Sequence, residues 1–166
     1  MEVDALLTQP LELHCIGGFA INIRYGFPRT TGDIDFCSLA PLEEHDYLIQ
    51  IAGPGSELHR KYHLCFHCVY QVNLPEDYNQ RLQEVFRASF QHLRLFVPDP
   101  YDLALSKLER NHPKDREDVE YLAKTIPLKA ATLCDRYRKE LRPYLVNEER
   151  HDNTIDLWID ACFQSE

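Results

Sequence analysis

The chain has 166 residues, of which 44% are hydrophobic and 27% are charged. This size and balance predict a single globular domain with a buried core and argue against a disordered segment. The formal net charge of −9 argues against non-specific adhesion to DNA, because affinity for a phosphate backbone comes largely from cationic side chains. The charge is uneven, since the residues from Asn147 onward carry six acids against Arg150. The rest of the chain therefore has room for a local basic groove.

The cysteines and the apolar residues together predict a cytoplasmic protein. The 6 cysteines are scattered along the chain, which is not the pattern of a disulfide scaffold, so we expect free thiols. No stretch approaches the roughly 20 apolar residues of a membrane-spanning helix. The acidic start, Met1-Glu2-Val3-Asp4, lacks the basic and apolar regions of a signal peptide. We therefore expect no membrane association.

The first predicted elements are a strand, a glycine turn and a helix. Leu11 to Ile16 alternates apolar and polar side chains, which predicts a strand that stops at Gly17-Gly18. The apolar spacing that follows predicts a helix ending near Gly26. A second strand is predicted from Asp33 to Leu39, with Ile34, Phe36 and Ser38 on one face. The carboxylates of Asp33 and Asp35 then share the other face.

The middle of the chain predicts one more helix and three more strands. A helix from Leu42 to Ile51 is broken by Gly53-Pro54-Gly55. Tyr62 to Val72 is rich in aromatic and β-branched residues, which predicts a third, central strand. Arg81 to Phe86 and His92 to Val97 predict a strand pair.

The remainder of the chain is predicted to be helical. Asp99-Pro100-Tyr101-Asp102 has the pattern of an N-cap, a proline at the first helical position and a carboxylate that reaches back, opening a helix to about Arg110. Further helices are predicted from Pro113 to Lys124, from Pro127 to about Leu141 and from Thr154 to Phe163. The fold class predicted is α+β, a mixed sheet (residues 1–98) followed by a mainly helical portion (residues 99–166) within a single domain.

Asp33 and Asp35 are the candidate metal ligands. Two carboxylates separated by one residue on a strand point to the same side, where they can bind divalent cations roughly 3.5–4 Å apart. An Asp-x-Asp pair alone is more typical of a solvent-facing strand end than of a metal site. The neighbouring segments favour a site, however. Gly17-Gly18 lies between a strand and a helix, where backbone N–H groups can approach a phosphate, although a simple tight turn has the same pattern.

Arg29-Thr30-Thr31-Gly32 lies between the glycine turn and the acidic strand. Its arginine offers a guanidinium fork for phosphate oxygens, and its threonines offer hydroxyls for a nucleotide or metal-bound water. An ordinary polar loop would also explain this segment. The order of a Gly-Gly turn, a short helix and an Asp-x-Asp strand resembles the DNA-polymerase-beta-like nucleotidyltransferase superfamily over Ile16 to Phe36. This resemblance implies a small nucleotidyltransferase-like sheet with a bound nucleoside triphosphate and Mg²⁺ or Mn²⁺.

A second segment resembles the AbiEii-like nucleotidyltransferases and the minimal nucleotidyltransferases. It consists of Asp102-Leu-Ala-Leu-Ser-Lys107-Leu-Glu-Arg110 followed by Lys114-Asp115-Arg-Glu-Asp118-Val119. The resemblance implies that Lys107 holds the triphosphate and that Asp115 or Asp118 supports catalysis, with Arg110 as a further candidate. Helical spacing places Lys107 beside the buried stripe, from which it can reach the rim of a cleft. Asp115 and Asp118 flank the next apolar stripe, which is costly unless a cation or an arginine lies nearby, although first-turn dipole stabilisation is an alternative.

The chain departs from the superfamily in one respect. Many members carry a third metal-binding carboxylate on a later strand, whereas His67-Cys68-Val69-Tyr70-Gln71-Val72 has none. Two interpretations stay open. One is a two-carboxylate subtype, in which Asp115 or a loop acid such as Glu76 or Asp77 helps. The other is a degenerate relative that binds nucleotides without turnover.

Two other patterns have competing interpretations. His63, Cys65 and His67 would project from one strand face as zinc ligands, but a partly buried strand explains them more simply. Asp152, Asp156 and Asp160 repeat every fourth residue, so one helix face is strongly acidic. A solvated face is the simpler explanation, and a basic partner is the other.

The function predicted is metal-dependent transfer of a nucleotidyl group from a nucleoside triphosphate. The resemblance implies an RNA acceptor such as a tRNA end, or a side chain of a cognate toxin or antitoxin protein. Asp33, Asp35, Lys107 and Asp115 are the predicted catalytic residues. The residues predicted to bind the nucleotide are Gly17, Gly18, Arg29, Thr31 and Lys107. The alternative is a non-catalytic, antitoxin-like binding module.

Overall fold

The computed structural model describes residues 2–37 and 42–163. This part of the chain contains a 5-stranded mixed sheet and eight α-helices, which confirms the predicted α+β class. The chain forms two compact units. The first comprises Met1–Gln71 and Leu82–Pro98, and the second comprises Val72–Arg81 and Asp99–Glu166. The first unit holds the whole sheet.

The sheet has the strand order β3-β2-β1-β5-β4. Its first strand pairs antiparallel with the second and parallel with the fifth, whereas the second and third strands pair in parallel and the last two are antiparallel. The strands are β1 (Leu11–Cys15), β2 (Asp33–Cys37), β3 (Cys65–Cys68), β4 (Gln83–Val85) and β5 (Leu93–Val97).

The two faces of this sheet differ in chemistry because side chains alternate along each strand. One face is apolar, and its members are buried: Leu11, Leu13, Cys15, Ile34, Phe36, Phe66, Leu93, Leu95 and Val97. The register places polar and aromatic side chains on the other face: Glu12, His14, Asp33, Asp35, Cys65, His67, Arg94 and Phe96. The candidate metal ligands therefore lie on the polar face, as predicted.

Four helices belong to the first unit: α1 (Glu2–Leu6), α2 (Gly17–Tyr25), α3 (Leu42–Ala52) and α4 (Glu57–Tyr62). The predicted helix after the glycine turn is confirmed, and it ends at Gly26, whose φ of 73° is the left-handed conformation that glycine adopts without cost. The first helix is anchored by Asp4. Its carboxylate accepts the backbone N–H groups of Gln91, His92 and Leu93 at 2.8–2.9 Å.

The second unit is built from helices. They are α5 (Pro100–Leu105), α6 (Pro113–Thr125), α7 (Ala130–Arg136), which continues as a π-helical turn over Tyr137–Leu141, and α8 (Glu148–Cys162). The predicted Asp99 N-cap is confirmed, since its carboxylate accepts the N–H of Asp102 at 3.0 Å. The carboxylate of Asp102 does not reach back, however. It binds Arg81 and Arg136 instead.

The prediction of a long, central third strand is wrong. The strand spans only Cys65–Cys68 and lies at the edge of the sheet. Tyr62 is the last residue of helix α4, which the aromatic composition of this segment did not predict. Ser56 caps that helix by accepting the N–H of His59. The second strand is observed to Cys37, and the predicted positions of Ser38 and Leu39 lie outside the described residues.

Three predicted helix boundaries also differ. The helix from Pro100 ends at Leu105 rather than near Arg110. The helix predicted from Pro127 begins at Ala130. The last helix begins at Glu148 rather than Thr154, because the side chain of Asn147 caps it by accepting the N–H of Arg150. The Asn147 cap thus fixes a helix start that apolar periodicity leaves open.

Candidate active site

The acidic strand β2 lies beside β3 with its carboxylates matched to two hydrogen-bonding side chains. Asp33 pairs with Cys65 and Asp35 pairs with His67 in the parallel register. The thiol of Cys65 donates to Oδ1 of Asp33 over 3.3 Å. Nδ1 of His67 lies 2.9 Å from Oδ1 of Asp35. Asp33 is exposed and Asp35 is half-buried, so both carboxylates are accessible to a ligand.

The glycine turn packs directly against Asp35. Gly17 has a φ of +69°, and a Cβ placed on it would lie 2.6 Å from Oδ2 of Asp35. The N–H of Ile16 donates to the carbonyl oxygen of Asp35 at 2.9 Å. Only glycine allows both this backbone conformation and this approach. The N-terminus of α2, with its unpaired N–H groups, therefore begins at the acidic strand.

Arg29 lies beside the second glycine of the turn. A Cβ on Gly18 would be 3.1 Å from Nη2 of Arg29. The guanidinium also lies over the ring of Phe27, with 5.0 Å to the centroid. The structure thus brings together the two glycines, Arg29 and Asp35, which the sequence predicted as one site.

Thr31 has a structural contact in this loop. Its hydroxyl donates to the carbonyl oxygen of Asp33 at 3.1 Å and lies 3.3 Å from the N–H of the same residue. This contact fixes the entry of the chain into β2. The predicted binding of a nucleotide by Thr31 stays a prediction.

Burial shapes the chemistry of Cys65. Its side chain is buried at the sheet edge. Burial, together with the hydrogen bond to Asp33, raises the pKa of the Cys65 thiol to about 11. The thiol is therefore protonated near neutral pH, which is the form that donates to a carboxylate.

The other predicted site residues form a buried ion cluster within the second unit. Nζ of Lys107 lies 2.8 Å from Asp118 and 3.7 Å from Asp115. Arg110 binds both carboxylate oxygens of Asp115, at 2.7 and 2.6 Å. Lys107 is 5% exposed, so its ammonium does not stand at an open rim as the helical spacing suggested.

The cations of this cluster explain why the two carboxylates on α6, Asp115 and Asp118, can be buried. Asp115 also accepts the N–H of His112, which closes a capping box at the start of this helix. Burial alone would raise the pKa of Asp115, but the hydrogen bonds from Arg110 and the His112 backbone, together with the charge of Lys107, lower it. The predicted requirement for a nearby cation or arginine is confirmed. The nucleotide-binding and catalytic roles of Lys107, Asp115, Asp118 and Arg110 stay predictions.

The donor set of β2 fits a hard divalent cation that brings its own water and phosphate ligands. Among the described residues, no group of three or more His, Cys, Asp or Glu side chains is arranged to hold a metal ion. Magnesium is commonly bound by one or two carboxylates, several waters and substrate phosphates rather than by a complete protein cage. Two accessible carboxylates beside a helix N-terminus meet that requirement.

The zinc arrangement predicted as an alternative is wrong. His63 is not part of a strand, since it caps the C-terminus of α4 with a φ of 53°. Cys65 and His67 do share a face, but they form hydrogen bonds with Asp33 and Asp35. The alternation of these two residues is visible in the sequence, but their partners are not, because only the parallel pairing of β2 with β3 places them opposite Asp33 and Asp35.

The family of the chain is clear from a comparison with known proteins. Residues 2–156 match the family described as nucleotidyltransferase of unknown function, DUF6036. The chain therefore belongs to this nucleotidyltransferase family. No curated protein and no solved structure gives a match.

The helices add one further observation. None of those in the described part of the chain has the length and apolar character that crossing a membrane requires.

Proposed function

We propose that this protein transfers a nucleotidyl group from a nucleoside triphosphate to a hydroxyl acceptor in a reaction that depends on a divalent cation. The observation that carries the proposal is the contact of the Gly17 turn with Asp35, which leaves no room for a Cβ. The family match over residues 2–156 supports the same class of reaction. The close approach of the glycine turn to Asp35 favours an active enzyme over a binding module.

Three groups of the first unit have distinct roles in this proposal. Asp33 and Asp35 hold Mg²⁺ or Mn²⁺. The N–H groups at Gly17 and Gly18, where α2 begins, bind triphosphate oxygens, because a helix N-terminus favours negative charge. Arg29 adds a guanidinium that forms paired hydrogen bonds with phosphate oxygens. Thr31 fixes the entry into β2 of the loop that carries Arg29.

The reaction forms one phosphorus–oxygen bond and breaks another. The acceptor oxygen attacks the α-phosphorus, its proton passes to solvent, and pyrophosphate leaves with the electrons of the broken bond. A bound cation would supply charge neutralisation at the phosphate oxygens. The residues around it orient the triphosphate so that the attacking and leaving oxygens lie in line.

The acceptor that we propose is an RNA with a tRNA-like end or a side-chain hydroxyl of a partner protein, as in a toxin–antitoxin pair. The formal charge of −9 makes RNA the more demanding partner, because an acidic chain repels a phosphate backbone unless a local basic groove is present. Both acceptors use a hydroxyl, so the same site serves either.

A labelling experiment tests the proposal. The protein is incubated with each of the four α-³²P-labelled nucleoside triphosphates, Mg²⁺ or Mn²⁺, and either bulk tRNA or a cell protein extract. We expect label in one acceptor class, and Asp35→Ala should reduce incorporation by at least about 100-fold because a cation ligand is lost.

Asp46→Ala is the matched control. It removes an exposed carboxylate from α3 of the same unit, so it should incorporate label like the parent. Absence of label from every acceptor with all four nucleotides would contradict the proposal. Stable capture of one protein without labelling would indicate the antitoxin-like module instead.

A further inference from the structure

We infer that His67 and Cys65 are positioning residues, which hold the carboxylates of Asp35 and Asp33 in the orientation that binds the divalent cation. This inference rests on the proposed function, since it concerns the cation of the same site. The two residues are identified by their contacts alone.

The pairing of β2 with β3 places the two donors beside the two carboxylates. Parallel strands place paired residues about 4.8 Å apart on the same face. The register joins Asp33 to Cys65 and Asp35 to His67, so a donor stands opposite each carboxylate. Both donors contact the same kind of atom, Oδ1, at 3.3 Å for the thiol and 2.9 Å for the imidazole.

The direction of each hydrogen bond follows from the chemistry. An ionised carboxylate only accepts hydrogen bonds, so Nδ1 of His67 must carry the proton and donate it. A protonated Nδ1 has no free lone pair with which to bind a metal ion. Nδ1 of His67 therefore acts on the site through Asp35 and not as a ligand of the cation.

Holding Oδ1 fixes the direction of Oδ2. In Asp35 this second oxygen points to the glycine turn, where the position of a Cβ on Gly17 would be 2.6 Å away. A carboxylate on an accessible strand would otherwise rotate among several conformers. Outer hydrogen bonds that orient metal-binding side chains typically contribute 10-fold to 100-fold to metal affinity.

The exposure of His67 argues against a role in folding. Its side chain is 56% exposed, compared with 32% for Asp35. An exposed hydrogen bond of this kind contributes little to the stability of the fold. Loss of His67 should therefore change the site while leaving the fold intact.

The experiment measures Mn²⁺ binding by the full chain from the electron paramagnetic resonance signal of the free ion, without nucleotide. We expect His67→Ala to weaken Mn²⁺ binding by about 10-fold to 100-fold. His67→Asn should stay within about threefold of the parent, because the amide nitrogen of asparagine takes the place of Nδ1 as a donor. Cys65→Ala and Cys65→Ser form the corresponding pair for Asp33. The serine variant, which keeps a donor, should bind Mn²⁺ more tightly than the alanine variant.

His63→Asn is the matched control. It removes an exposed imidazole four residues away, and asparagine tolerates the φ of 53° at this position. We expect its Mn²⁺ affinity to equal that of the parent. Unchanged or tighter binding by His67→Ala would overturn the inference. So would equally weak binding by His67→Asn, since the imidazole would then be needed for itself.

A second measurement needs no metal. In nitrogen-15 spectra of the side chains, His67 should be the Nδ1–H tautomer, and Asp35→Ala should return it to the Nε2–H form that predominates in solution. A dominant Nε2–H form in the parent would overturn the inference. Mn²⁺ binding that depends on His67, in a protein that labels no acceptor, would reject the proposed transfer reaction and leave the inference standing.

Discussion

Gly17 is the residue on which the geometry of the candidate site depends most. Two constraints coincide there, a φ of +69° and a distance of 2.6 Å from the position of a Cβ to Oδ2 of Asp35. Gly55 has a similar φ of +81°, but a Cβ at that position would meet no atom within 4 Å. The two glycines therefore separate the cost of the backbone conformation from the effect of crowding Asp35.

We predict that Gly17→Ala weakens Mn²⁺ binding by about tenfold or more, because the new Cβ displaces a carboxylate oxygen that binds the cation. Gly55→Ala should leave binding unchanged. Both substitutions should lower the free energy of unfolding by about 1–2 kcal/mol, the cost of a Cβ in the left-handed region. Mn²⁺ titration and urea denaturation measure the two effects, and equal Mn²⁺ affinities would contradict the crowding argument.

Lys107 is a second residue whose position determines how a substitution changes the stability of the fold. Its ammonium lies 2.8 Å from Asp118, and both side chains are almost fully buried. We predict that Lys107→Met lowers the free energy of unfolding by about 3–5 kcal/mol, because it leaves a buried carboxylate without its cation. Lys124→Met, which breaks an exposed pair with Glu120, should cost no more than about 0.5 kcal/mol. Urea denaturation measures both.

The double variant Lys107→Met with Asp118→Leu tests the same contact from the other side. Replacing both members of a buried pair by apolar residues is often neutral, so we expect most of the lost stability to return. A double variant as unstable as Lys107→Met would contradict this explanation. If it folds, its nucleotide affinity reports directly on the predicted role of Lys107 at the triphosphate.

At the scale of elements, the carboxylate of Asp152 joins α8 to the π-helical turn and to Arg142, which follows that turn. Asp152 accepts hydrogen bonds from Arg142 at 2.8 and 2.9 Å and from the hydroxyl of Tyr137 at 2.7 Å. These contacts lower the pKa of Asp152 to about 2 from its ordinary value of 3.8. The first member of the acidic stripe on α8 therefore has partners within its own unit.

The lowered pKa sets the sign of a pH dependence. A carboxylate with a depressed pKa in the folded state stabilises the fold above its ordinary pKa, and this contribution is lost as the pH falls toward the folded value. We predict that Asp152→Asn is less stable than the parent at pH 7 and that the difference disappears between pH 4 and pH 2. Thermal unfolding across this range measures it. Asp156 lies on the exposed side of α8. Asp156→Asn should therefore unfold at the same temperature as the parent at every pH tested.

Elements with strong local signals could be predicted from the sequence. The glycine turn, α2 with its left-handed end at Gly26, and the Asp99 N-cap all depend on residues within a few positions of one another. The third strand could not be predicted in the same way. Tyr62 suits a strand by composition, but a capped helix that begins after Ser56 incorporates it.

At the scale of the whole molecule, the candidate site depends on contacts that are distant in sequence. The Asp-x-Asp pattern predicted a shared face, and the structure confirms that face. The donors opposite the two carboxylates could not be predicted, because Cys65 and His67 are 32 residues further along the chain. The parallel register of two strands is set by the sheet as a whole and has no local signature.

The hydrogen bonds of Asp4 have a consequence for the order in which the chain can fold during synthesis. Asp4 contacts the backbone 87–89 residues later, and β1 lies between β2 and β5 in the sheet. The ribosome releases β1, β2 and β3 well before β5, so one side of β1 has no neighbouring strand during this interval. The carboxylate of Asp4 therefore lacks its three backbone partners until translation has passed residue 93.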